Sequence, residues 1–161
     1  MDRRHALALL EDPTTAVEGL AWFAQRVAAL PDSVRAAFDL ACAHEALDHT
    51  GATAEACERA LRLGLDQLPE ADQARWHVRY GSALRILGRL EESRAVLEGG
   101  RALFPDDGAL PVFLAFTELA AGNRDAALAV LLAGAAAADP YGSRAGFRRG
   151  IEAGAAQFGP R

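Results

Sequence analysis

Gly88 and Gly122 stand 34 residues apart, each inside a short turn that separates two helical stretches of about a dozen residues. The first turn reads Leu87-Gly88-Arg89-Leu90-Glu91-Glu92, the second Ala121-Gly122-Asn123-Arg124-Asp125-Ala126. A third, Thr50-Gly51-Ala52-Thr53-Ala54-Glu55, lies 37 residues before Gly88. Glycine in such a place supplies the left-handed conformation that ends a helix. A fixed period of this length constrains the fold more than any single motif does. Each unit is one helical hairpin that cannot bury its apolar face alone, so copies must stack. Pro31-Asp32-Ser33 and Pro105-Asp106-Asp107 each precede a helix and lie 74 residues apart, two periods plus six. The extra six are expected to divide equally between the His49-Thr50-Gly51 turn and the Leu65–Ala71 connection. The acidic and hydroxyl residues in these segments are expected to cap the following helices.

Composition agrees with an all-helical chain. Alanine, the best helix former, accounts for nearly a quarter of the residues, while Val, Ile, Thr and Tyr are sparse. The expected architecture is an α-solenoid of about three hairpins in one domain, 1–161. Residues 1–30 would form N-terminal helices, 31–140 the three hairpins, and 141–159 a C-terminal capping helix. At the N-terminal end Asp12-Pro13 reads as a cap followed by a first-turn proline. Val17, Leu20, Ala21, Ala24 and Val27 form the apolar stripe that follows, widened by Trp22 and Phe23. At the C-terminal end Phe147, Ile151, Ala155 and Phe158 share one face, as a solvating terminal helix requires.

These residues carry a resemblance. His77, Tyr80-Gly81, Leu84, Ser93, Leu97 and Pro105 follow the spacing of the tetratricopeptide repeat. Ala37, Leu40-Ala41, His44, Ala56, Ala60 and Leu68 form a weaker first copy. Pro111, Leu114-Ala115, Glu118, Ala127, Leu131 and Asp139 form a third. Tyr80 to Leu97, with Phe104-Pro105-Asp106-Asp107, resembles a subfamily of short tetratricopeptide proteins common in actinomycetes, for which the resemblance implies no particular activity. Glu118 departs from the pattern, because a large packing residue is usual there. A carboxylate at that place needs an arginine partner or water, and its helix is expected to sit looser or rotated.

The resemblance also implies a binding groove lined by the first helix of each hairpin. Its positions fall on Arg35, Phe38, Asp39, Cys42 and Glu45 in the first repeat. Ala46 completes the first set; in the second they fall on Arg75, Val78, Arg79, Ser82, Arg85 and Ile86, and in the third on Ala109, Val112, Phe113, Phe116, Leu119 and Ala120. A helical wheel supports the second set independently, because Arg75, Val78, Arg79, Ser82, Arg85, Ile86 and Arg89 fall within an arc of about 120°. Trp76, Tyr80, Ala83, Leu84 and Leu87 lie opposite. The carboxylate clamp of chaperone adaptors is not reproduced, since its five positions read Phe38, Cys42, Arg79, Ala109 and Phe113. An arginine stripe of this kind is also what a solvated face would show, with Asp39 and Glu45 neutralising part of it.

The remaining chemistry is mostly exclusion. A formal charge of −5 disfavours nucleic acid, which requires a basic field. No apolar run is long enough to span a membrane, and the N-terminus lacks the apolar core of a signal peptide. A cytoplasmic location with free Cys42 and Cys57 is the expectation. His44-Glu45-Ala46-Leu47-Asp48-His49 misses the zinc-protease spacing. On a continuous helix its two imidazoles would point about 140° apart, so the sequence predicts no metal site and no cofactor. No phosphate loop, nucleophile elbow or paired-carboxylate motif occurs. The expected function is a non-catalytic protein- or peptide-binding scaffold whose partner carries an acidic and an apolar segment. The alternative is a self-associating accessory protein, for example a homodimer formed through the groove or the terminal helix.

Overall fold

The computed structural model describes residues 1–137. Among them are eight α-helices and no strand. The helices are α1 (Arg3–Leu9), α2 (Ala16–Ala29), α3 (Val34–Ala46), α4 (Thr50–Leu63), α5 (Glu70–Ile86), α6 (Leu90–Leu103), α7 (Ala109–Ala120) and α8 (Arg124–Ala137). A single 3-10 turn, Leu65–Gln67, precedes α5. The helices follow one another as hairpins, the α-solenoid class. The backbone divides into two compact units, Met1–Ala83 and the chain from Leu84 onward, and α5 runs across the division. The proposed terminal helix, with Phe147, Ile151 and Phe158, lies outside the described residues.

The turns repeat more closely than the glycines do. The amides of His49, Arg89 and Asn123 donate to the carbonyls of His44, Leu84 and Glu118 at 2.9, 2.9 and 2.8 Å, the same five-residue closure three times. Gly88 and Gly122 hold the left-handed conformation, with φ of 76° and 81°. In the first turn that conformation falls on Asp48, φ 56°, and Gly51 lies inside α4. Aspartate tolerates this region better than most side chains. The first turn is therefore no longer than the other two, and the six extra residues are not shared between turn and connection as expected. One lies in the linker and the rest in α5, which has 17 residues against the 12 of α7. This register places Thr53, Ser93 and Ala127 in equivalent positions, and all three small side chains are buried. Ala56, read as the first-repeat equivalent, is one turn away. Leu131, expected to pack, is 39% exposed. Leu87 lies beyond the end of α5 and is exposed as well.

Caps form where polar residues precede helices. Ser33 Oγ accepts from the Ala36 amide at 3.2 Å, and Asp107 Oδ1 accepts from Ala109 and Leu110 at 2.8 and 3.3 Å. Asp12 acts differently from the expected cap. Its carboxylate accepts from the Thr14 amide and hydroxyl, both at 2.8 Å, and holds a turn through Thr15, so that α2 begins only at Ala16.

In the first unit, Ala6 of α1, Leu10 at its C-cap, Phe23 of α2 and Ala43 of α3 form a buried cluster flanked by Leu7, Leu20, Trp22, Leu40 and Leu47. The buried face of α2 is Ala16, Gly19, Phe23 and Val27. Val17 is 78% exposed, so the predicted stripe is displaced by about one residue. The reason is steric. A Cβ at Gly19 would stand 2.8 Å from the Ala6 carbonyl oxygen, so the glycine lets α1 approach, and the large Phe23 ring takes the centre of the contact. Further along, the indole of Trp76 donates to the Cys57 carbonyl at 3.0 Å and fastens α5 to α4.

In the second unit α7 packs against both α6 and α8. Ser93 and Thr117 share a buried hydroxyl hydrogen bond of 2.8 Å. A Cβ at Gly134 would lie 2.7 Å from both Cβ and Cγ of Pro111. Gly134→Ala improves helix propensity by about 0.5–1 kcal/mol. Overpacking against a rigid ring costs about 1–3 kcal/mol. A net loss of about 1–2 kcal/mol is expected, read from the denaturant midpoint. A higher midpoint would mean that α7 and α8 stand further apart than this.

Candidate functional site

The first-helix face of the first unit is built on Phe38. Its ring is 1% exposed and carries two guanidinium groups, Arg35 at 5.6 Å and Arg79 at 5.3 Å from the ring centroid. Cations over an aromatic face are held by the ring quadrupole, more strongly as they lose water. Around this stack runs a chain of ion pairs. Arg3 Nε donates to Asp39 at 2.9 Å, and Arg35 reaches Asp39 at 3.5 Å and Asp72 at 2.6 Å. Arg75 reaches the other Asp72 oxygen at 3.2 Å, and Arg79 pairs with Glu45 at 2.7 Å. Burial pushes the Asp72 carboxyl up, but the hydrogen bond and charge of Arg35, with Arg75 behind them, outweigh it and hold the group below its ordinary range.

The predicted residues of this unit therefore come together, but not as an open groove. Arg35, Phe38, Glu45 and Arg79 form one packed assembly, with Arg75 joined to it through Asp72. Val78 and Ser82 are half-buried on the same helix. A solvated stripe would expose Arg79, yet its side chain is only 16% exposed. Arg79→Glu would set a second carboxylate beside Glu45 and remove a cation from the Phe38 ring. It is expected to cost about 1–3 kcal/mol, seen as a lower melting temperature of the variant alone. An unchanged melting temperature would return Arg79 to the solvent side. Asp72 and Arg3, which complete the chain of pairs, were not legible beforehand, because nothing in their local pattern distinguishes them from surface charges.

Cys42 is half-buried and Cys57 buried, and both are free thiols. Burial pushes each thiol up, the deeper Cys57 far more, so neither is primed as a thiolate nucleophile. The two histidines of the first turn are not splayed. α3 ends at Ala46, the left-handed Asp48 swings the chain back, and His44 Nδ1 and His49 Nδ1 face each other at 3.4 Å. The 140° separation of a continuous helix does not apply, because the helix stops between them.

In the second unit, Arg85 is half-buried, and its Nε has no hydrogen-bond partner among the described residues. Val112, Phe116 and Leu119 of α7, spaced by four and three residues, are 37%, 46% and 50% exposed. Phe113 packs edge-on against Phe116 with ring centroids 5.8 Å apart. The opposite face of α7 is buried and carries Glu118, which has the arginine partner that its chemistry demanded. Arg94 Nε and Nη2 donate to its two oxygens at 2.5 and 3.1 Å, and Asn123 Nδ2 adds a third bond at 2.9 Å. Glu118 is 5% exposed, so its helix is neither loose nor turned to place the carboxylate in solvent.

Consecutive helical hairpins with small buried residues at the crossings and polar or aromatic first-helix faces define a repeat scaffold of the protein-interaction class. No helix among the described residues is long and apolar enough to cross a membrane. A sequence model for the family described as Tetratrico peptide repeat matches residues 34–156, beginning at the first residue of α3. The chain belongs to that family, whose repeats generally mediate protein–protein interaction and are typically non-catalytic. No curated protein and no solved structure matches the chain.

Proposed function

We propose that this chain is a non-catalytic scaffold that binds a protein or peptide segment through its first-helix faces, with the apolar stripe of α7 as the principal contact. The observation that carries the reading is the exposure of Val112, Phe116 and Leu119 on one side of a helix whose other side is buried. Solvent-facing aromatic and aliphatic side chains in a row are what interface anchors are made of. The partner segment supplies an apolar or aromatic side chain here. In the first unit, taken by itself, Arg75 is the stripe arginine open to an incoming carboxylate, since its side chain is 68% exposed and only partly occupied by Asp72.

The same stripe also suits self-association, so the test has two arms. Light scattering of the pure chain over a concentration series comes first. A dimer that Phe116→Ala abolishes identifies the stripe as a self-contact. If the chain stays monomeric, partner capture is repeated with wild type and Phe116→Ala. The variant is expected to lose on the order of 2 kcal/mol of binding, mostly through faster dissociation. Its own melting temperature should not move, because the ring is already half in water. A partner bound equally well by the variant places the contact elsewhere.

A further inference from the structure

We infer that His44 and His49 form a two-ligand site for a borderline transition dication of the zinc type, built by the first inter-helix turn. The two Nδ1 atoms stand 3.4 Å apart with the rings tilted 47° rather than stacked. The contact is itself a long hydrogen bond between the rings, its donor set by the tautomers, and a bound ion replaces that bond at the same separation. That separation equals the bite of a tetrahedral zinc ion, because two nitrogens at about 2.0–2.1 Å from the metal lie roughly 3.3–3.4 Å from one another. In the arrangement described, the ring centroids are 5.7 Å apart, and the proton on one Nδ1 is shared with the other. A modest rotation of the rings, easy for the exposed His49, aims both lone pairs at a common point.

The turn itself makes the pair. His49 is brought back over the end of α3 by its amide bond to the His44 carbonyl, 2.9 Å, which the left-handed Asp48 permits. Gly88 and Gly122 make the same closure in the other two turns, but Leu84/Arg89 and Glu118/Asn123 stand where the histidines stand here. The chemistry is thus particular to the first hairpin. Among the described residues no third histidine, cysteine or carboxylate is placed to complete a larger cluster. The remaining coordination positions are open to water. Binding requires both Nδ1 atoms free of protons, with the ring protons on Nε2. That is a tautomer available to each neutral imidazole, so no proton need be lost.

With two of the four protein ligands of a structural zinc site, a dissociation constant of roughly 1–100 µM is expected. The experiment is a calorimetric titration of zinc ion into the full chain at pH 7.5 in a non-chelating buffer. Nitrogen-15 spectra of the imidazoles are recorded alongside it. One zinc per chain is expected, with the Nδ1 signals of His44 and His49 moving together and those of His5 and His77 staying in place. His44→Gln and His49→Gln should each weaken binding at least tenfold, whereas His77→Gln should leave it unchanged. The spectra on the wild-type chain stand even if a variant folds poorly. No binding up to 1 mM zinc would overturn the assignment, and so would binding that His49→Gln leaves intact or zinc shifts confined to Nε2.

Discussion

Phe38→Ala is expected to destabilise the chain by about 3–5 kcal/mol, the cost of emptying a buried phenylalanine site. A chain of this length loses roughly 2–4 °C for each kcal/mol, so the melting temperature should fall by roughly 6–20 °C. Two features raise the cost above that of an isolated ring. The side chain is 1% exposed, and the guanidinium groups of Arg35 and Arg79 rest on its faces. Removing the ring leaves two cations over a cavity. Phe38→Leu retains most of the volume but loses both cation–aromatic contacts, and should cost less than half as much. Thermal melts of the two variants without any ligand decide the matter. Unchanged melting with a loss of partner binding would mean that Phe38 is an open contact residue rather than the floor of the Arg35/Arg79 assembly.

Arg94→Ala should be nearly as damaging. It strips a buried carboxylate of two charge-assisted bonds and leaves Asn123 alone to satisfy Glu118. Breaking a buried pair from one side costs about 3–5 kcal/mol, and the partial exposure of Arg94, 28% for its side chain, lowers the expectation to about 2–4 kcal/mol. Arg94→Ala paired with Glu118→Leu should recover much of the loss, because no unpaired charge then remains. The pair also predicts a pH dependence. The hydrogen bond from Arg94 holds the Glu118 carboxyl below its ordinary 4.5, against the opposing effect of burial and with help from Asn123. A carboxyl depressed in the folded state contributes stability that is fully present above the unfolded value. That contribution is lost as pH falls through the lower, folded one. Melting between pH 7 and pH 3 should therefore show a decline that begins under about pH 4.5 and is shallower in Glu118→Gln. Equal slopes for variant and wild type would remove Glu118 from the acid response.

Much of the fold was legible because it depends on local chemistry that recurs. The 34-residue glycine spacing gave the Gly88 and Gly122 turns, and Ser33 and Asp107 announced their caps. Glu118 announced its need for an arginine, though not that Arg94, 24 residues earlier, would meet it. The errors share a physical origin. Asp48 replaces glycine in the first turn, so the visible glycine, Gly51, gave a false register. The stripe of α2 was set by which residue allows close approach, and Gly19 carries no apolar signal of its own. Asp39 and Glu45 were legible as counter-charges to the arginine stripe, but nothing local reveals that Arg3 and Asp72 extend the chain of pairs through Asp39 and Arg35. The His44–His49 pair is hidden in the sequence because five residues mean about 140° only on a helix that continues, and α3 stops at Ala46.

The linked ion pairs from Arg3 to Arg75 have a consequence for any acidic ligand that reaches this face. Apart from the exposed end of Arg75, its carboxylates meet arginines that already have resident anions, so each new contact there is an exchange rather than a gain. Asp39, Asp72 and Glu45 behave as tethered competitors whose local concentration no free ligand can match. A ligand with a single carboxylate is therefore poorly placed to displace them, whereas one that presents several acids at matching spacing can replace the set together. Added salt screens the resident pairs along with the incoming ones. Affinity at this face would then fall with ionic strength more gently than a count of its arginines suggests.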